Sequence, residues 1–261
     1  MKISRCSLIL LFPVLLLMPC PAWPAGRKSE IPRVLVFTKT AGFHHASITD
    51  GVKAILKLGA AYHFIVDTTS DAMKFTEDTL KQYSAIIFLS TTGNVLDAAR
   101  QAEFERYIQA GGGYVGIHAA SDCEYHWPWY GKLVGAYFKG HWLIQQATLH
   151  VFKDKKFPVT DALPDPWIRT DEWYNFRALP KNVHVLVSID EKSYKGGDMG
   201  DQHPMVWYHD YDGGRAFYME LGHTNESYSE PDFLKLLLAG IQYAIDGNKK
   251  LNYHEAHTPR I

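Results

Sequence analysis

The stretch Gly111-Gly112-Gly113-Tyr114-Val115-Gly116-Ile117-His118-Ala119-Ala120-Ser121-Asp122 decides the architecture. Three glycines hinge into a short apolar run at 114–117, partly β-branched and aromatic, which reads as a buried strand. The triple glycine reads as the C-cap of a preceding helix followed by a tight turn. Gly111, Gly113 and Gly116 also spell G-x-G-x-x-G. That fingerprint holds a dinucleotide only where its glycines follow a strand and open a helix, and here they follow a helix and open a strand. His118 stands where the strand stops, at the edge where open α/β sheets bind ligands.

Outward from this strand, upstream residues 33–38 form an apolar first strand. Val52, Ile55 and Leu56 then share a helix face, expected to stop at Gly59, and residues 62–67 form a second strand. Thr76 opens a short helix through Leu80, residues 85–89 form a third strand, and Asp97 caps a helix that turns Phe104, Tyr107 and Ile108 inward. This alternation predicts an α/β, doubly wound and mainly parallel sheet.

Downstream the pattern changes. Residues 127–131 read as a loop, 132–138 as a short helix or turn, and 147–152 and 183–189 as strands, with Asp171-Glu172-Trp173-Tyr174 in the loop-rich stretch between. Residues 205–210 and 216–221 form a hairpin around Asp212-Gly213-Gly214. Pro231 opens a last helix with Phe233, Leu236, Leu237, Gly240, Ile241 and Ala244 on one face. One domain is expected over 31–248, with 249–261 as a polar tail.

The net charge is -1 and the basic residues are scattered, which leaves no footprint for nucleic acid or an anionic membrane. Lys2 and Arg5 precede an apolar run at 8–18 that is too short to span a bilayer and has the layout of a signal peptide, 1–22, cleaved after Ala22. A periplasmic or secreted chain without a membrane span is expected. Loss of Cys6 and Cys20 with the signal strands Cys123, so stability must come from the core.

Histidines gather at the predicted strand tips: His44 and His45 after the first strand, His118 with Asp122 after the central one, and His223 after the last. His141 and Glu172 lie on connections that can cover the same crevice. Imidazole exchanges protons near neutral pH, and a neighbouring carboxylate orients it. Gly116-Ile117-His118-Ala119-Ala120 has the shape of a nucleophile elbow, a sharp turn exposing its central side chain. Histidine occupies the position that acyl transfer needs as Ser or Cys, and Cys123 lies too far along to replace it, which argues against amidotransfer.

His118 is the acid/base candidate, with Asp122 or Glu172 orienting it, and His44, His45, Trp129, His141, Trp173 and His223 are candidates to hold substrate. No cofactor is required by the sequence. A second reading gives His44, His118 and His223, with a carboxylate, a zinc ion with one open position, although no compact H-E-x-x-H spacing is present. A third is a non-catalytic carbohydrate-binding cleft lined by Trp127, Trp129, Trp142 and Trp173.

From Arg33 to about Gly247 the chain resembles the ThuA-like family, trehalose-utilisation proteins related in fold to class I glutamine amidotransferases. The matching stretches are residues 42–45, 111–120, Trp129-Tyr130, 171–174, His203-Pro204 through Trp207, and 214–223. The resemblance implies a flavodoxin-like sheet, with the class I glutamine amidotransferase-like fold, in which His118 replaces the amidotransferase cysteine. It also implies carbohydrate catabolism, in which 3-keto derivatives of disaccharides and glycosides are made by a partner sugar oxidoreductase. A 3-keto group acidifies the neighbouring carbon-bound proton, so a histidine base can start elimination, epimerisation or hydrolysis. The export signal departs from cytoplasmic trehalose catabolism and points to glycosides met outside the cytoplasm.

Overall fold

In the computed structural model, which describes residues 31–261, the first half of the chain alternates strand and helix. The order is β1 (Arg33–Phe37), α1 (Ile48–Tyr62), β2 (Ile65–Thr69), α2 (Glu77–Leu80), β3 (Ala85–Leu89), α3 (Ala98–Gln109) and β4 (Gly113–Ile117). β3 and β4 are buried at every position, as their continuous apolar sequences require. Successive side chains point to opposite faces and feed two cores. Val34, Ile87 and Val115 pack with Ile55 of α1, whereas Leu35, Ile86 and Tyr114 pack with Phe104 of α3. The signal-peptide reading, with Cys6 and Cys20, lies outside the described residues.

The second half adds α4 (Pro128–Val134), β5 (Phe138–His141), β6 (Gln145–Val151), β7 (Trp167–Asp171) and β8 (Tyr174–Phe176). β9 (His184–Ile189), β10 (Pro204–Tyr211), β11 (Gly214–Met219) and α5 (Pro231–Ile245) complete it. Nine strands make one sheet in the order β2-β1-β3-β4-β11-β10-β9-β6-β7, while β5 and β8 pair separately. From β2 to β11 every pairing in that order is parallel. Strands β10, β9, β6 and β7 continue it antiparallel. With α1 and α5 on one face and α3 and α4 on the other, the sheet is doubly wound.

One register places the functional edge. β11 lies parallel to β4, from Arg215 opposite Gly113 to Met219 opposite Ile117, so both chains leave the sheet side by side. His118 and the loop carrying His223 emerge together.

Four expectations change, the first at α4, whose helix from Pro128 to Val134 takes in most of the stretch 127–131 read as a loop. Gly59 does not stop α1, which runs to Tyr62 and ends on left-handed His63. A Cβ on Gly59 would lie 2.6 Å from Val66 Cγ2, so this glycine allows the helix to approach β2, which starts only at Ile65. The stretch around Asp171 contains two strands, one of which, β7, is the sheet edge and alternates buried and exposed residues. Residues 249–261 are polar but docked on α3: Asn252 N–H donates to Ala110 O at 2.8 Å, and Thr258 Oγ1 to Glu105 Oε2 at 2.7 Å. Among the described residues, no helix is long and apolar enough to cross a membrane, and Cys123 is buried and free.

Candidate functional site

At the end of β4 the backbone turns sharply. His118 takes a left-handed conformation, φ 50°, which a non-glycine residue adopts only where its surroundings enforce it. The Tyr218 hydroxyl lies 2.8 Å from both His118 O and Ser121 Oγ, pinning the turn from β11. The elbow expected at His118 is therefore present.

His118 is fully buried, and its Nδ1 lies 2.7 Å from the carbonyl of Glu220. A carbonyl only accepts, so Nδ1 carries a proton. Nε2 faces a crowded polar space. The Tyr174 hydroxyl lies 3.0 Å from Nε2, His223 Nδ1 3.2 Å and Glu172 Oε2 3.5 Å.

Glu172 binds the cluster together. Its Oε2 is 3.0 Å from His223 Nδ1, and its Oε1 is 2.9 Å from His141 Nδ1. Burial opposes ionisation of Glu172, but hydrogen bonds and charge from His118 and His223 outweigh it and hold the carboxyl at about 2. His223 answers in the opposite sense: burial would lower it, yet the Glu172 hydrogen bond and charge, with help from Asp171, raise it. His45 packs edge-on against both imidazoles, with ring centroids 4.8 Å from His118 and 5.2 Å from His223. Burial first, then those two neighbours, push His45 down to about 3, so it is neutral at physiological pH.

The supporting parts come from separate elements. Asp171, fully buried at the end of β7, accepts the backbone N–H of Gly222 at 2.9 Å and of His223 at 3.1 Å, and pairs with Arg169 at 3.1 Å. It thereby holds the loop that aims His223. In the β5–β8 ribbon His141 is paired with Tyr174, which folds both over His118. Glu220 is fully buried and accepts from Tyr174 N–H at 3.1 Å; burial, reinforced by the charge of Asp171, raises its carboxyl well above the usual range.

Of the residues proposed from sequence, His45, His118, His141, Glu172 and His223 meet. His44 does not: it is exposed and its ring contacts Thr40 Oγ1 at 3.2 Å, so the histidine of the first strand tip that joins the cluster is His45. Asp122 turns away to Tyr125, and the groups that orient His118 are Glu172 and the Glu220 carbonyl. Trp129 donates to Asp212 in the β10–β11 turn, at the opposite edge of the sheet. Trp173 is buried and donates to Gln145 O, and Trp127 is also buried. Of the four tryptophans considered, Trp142 alone is exposed. Asp171, Tyr174 and Glu220 were not singled out; a glutamate inside the otherwise apolar run 216–221 was the available signal for Glu220.

Comparison with known proteins gives a consistent picture. A family model described as ThuA, trehalose utilisation, matches residues 33–244. A ThuA-like protein from Bacteroides uniformis superposes with a TM-score of 0.72 at 27% identity, covering 88% of this chain and 98% of that one. A ThuA-like protein from Parabacteroides merdae gives 0.69 at 24% identity, over 85% and 92% of the two chains. A search of curated proteins found no match.

Proposed function

The chain belongs to the ThuA family, and from that premise we propose that it is an enzyme of carbohydrate catabolism acting on a sugar or a 3-keto-glycoside. Its fold is the class I glutamine amidotransferase-like α/β fold, with histidine at the elbow. The observation that carries the reading is one buried carboxylate, Glu172, shared by His118, His223 and His141 at 3.5, 3.0 and 2.9 Å. Imidazoles tied to a carboxylate at the carboxyl edge of a sheet are suited to moving a proton on carbon next to a ketone, or on a glycosidic oxygen. Amidotransfer has no support here, because the elbow holds His118 and Cys123 is buried against Gly93 O.

A non-catalytic sugar-binding cleft finds less support, since three of its four proposed tryptophans are buried or bonded elsewhere. The basic and then apolar N-terminus supports an address outside the cytoplasm, where a partner oxidoreductase would supply oxidised glycosides. The test is incubation with 3-keto-glycosides in D2O, with NMR following deuterium at the carbon beside the ketone and any product. Exchange or product formed by the native chain and lost in His118→Ala and Glu172→Gln is expected. Unchanged turnover by His118→Ala would remove the proposal.

A further inference from the structure

We propose that His45, His118, Glu172 and His223 bind one divalent transition-metal ion of the zinc class. One ligand atom from each lies within 4.8 Å of all the others. Three separations are tighter: His118 Nε2 to His223 Nδ1 is 3.2 Å, His118 Nε2 to Glu172 Oε2 is 3.5 Å, and His223 Nδ1 to Glu172 Oε2 is 3.0 Å. Tetrahedral bonds of about 2.0–2.1 Å put ligand atoms about 3.3 Å apart, so these three atoms already stand at the corners of such a site.

The donors favour the same class. Three imidazoles and one carboxylate suit zinc and its first-row neighbours, whereas calcium and magnesium take oxygen ligands. Three of the four ligands are also braced from behind, as metal ligands are. His118 donates its other nitrogen to Glu220 O, Asp171 holds the His223 backbone, and His141 engages the second oxygen of Glu172. His45 supplies an independent indication: it is 3% exposed, and its Nδ1 has no hydrogen-bond partner among the described residues.

The site rests on the same cluster being the reacting centre, and it divides the labour there. With the four residues as ligands, the ion would polarise a sugar carbonyl or hydroxyl only by taking it as a fifth ligand. Proton transfer then falls to His141, whose side chain is 41% exposed and paired to Glu172.

The test is metal content of the full chain purified without chelator, followed by stripping and titration with Zn2+ and with Co2+, read by mass spectrometry and by visible cobalt absorption. About one ion per chain is expected, with intense tetrahedral cobalt bands. His45→Ala and His223→Ala should each weaken binding by more than ~100-fold, beyond the 10–100-fold typical of losing a partner behind a ligand. His44→Ala should bind as the native chain does, and circular dichroism of the metal-free variants reports whether they fold. A folded native chain that takes up none of these ions, or unchanged uptake in folded His45→Ala and His223→Ala, overturns the site. Metal binding without turnover of any sugar would remove the proposed function and keep the site; full turnover by the stripped chain would keep the function and remove the ion's part in it.

Discussion

His223 Nδ1 and Glu172 Oε2 stand 3.0 Å apart across the end of the sheet, and each sets the other's charge. Glu172 is lowered from 4.5 to about 2, so its contribution to stability is present above pH 4.5 and lost as pH falls through about 2. His223 is raised above 6.5, so its contribution is present below 6.5 and lost as pH rises through its folded value. The pair is complete between those limits. Replacing Glu172 by Gln removes what raises His223 while burial remains, so the His223 titration should move down, below its native value. NMR titration of the imidazole checks this; an unmoved His223 would show that Glu172 does not set its charge.

The left-handed backbone at His118 predicts how its variants will behave. Asn adopts φ near 50° more readily than most residues, so His118→Asn should keep the elbow. The lost bond to Glu220 O leaves a buried acceptor unpaired, at about 1–3 kcal/mol. Activity should fall by at least about 10²–10⁴, the usual worth of a positioned acid/base group, since the imidazole is lost either as that group or as a ligand of the ion. Urea melts alongside the exchange assay separate the two effects. Near-native activity in a folded variant would count against His118 at the reacting centre.

The sequence made the sheet legible where physics is local. Continuous apolar runs are what a strand covered on both faces needs, and β1, β3 and β4 were visible for that reason. β7 and β8 were not, because one is an alternating edge strand and the other has three residues. The tips carrying His45, His118 and His223 followed from strand order. Which of two adjacent histidines points inward did not: His44 and His45 differ by one residue, and only packing against His118 and His223 selects His45. Asp122 lay nearer His118 in sequence than Glu172 does, but the carboxylate arrives from a distant connection. Proximity along the chain carries no information about that.

Glu220 makes a prediction of opposite sign to Glu172. Its carboxyl is raised by burial and by Asp171, so the fold gains from its proton below the ordinary value of 4.5 and loses that gain as pH climbs toward the folded value. Gln has no proton to lose and keeps an oxygen for Tyr174 N–H. The stability of Glu220→Gln relative to the native chain should therefore improve from pH 5 to pH 8. Denaturant midpoints at both values test it; a pH-independent difference would mean that Glu220 is ionised in the fold.

The triple glycine contains two different requirements, and substitutions can tell them apart. Gly111 has φ +98° with open space around a Cβ, so it is needed for conformation alone. At Gly113 a Cβ would fall on the backbone carbonyl of Ala244 in α5, so it is needed for space. Gly111→Ala should cost about 1–3 kcal/mol of backbone strain, and Gly111→Asn less, because Asn tolerates positive φ better. Gly113→Ala must push α5 away from β4 and should cost about 3 kcal/mol or more, with Gly113→Asn worse still. Thermal melts of the four variants give the order, at about 2–4 °C per kcal/mol for a domain of this size. If Asn were the milder change at both positions, the close approach of α5 to β4 at Gly113 would be refuted. If it were the milder change at Gly111 alone, the helix would be seated as described, directly beneath the strand that ends in His118.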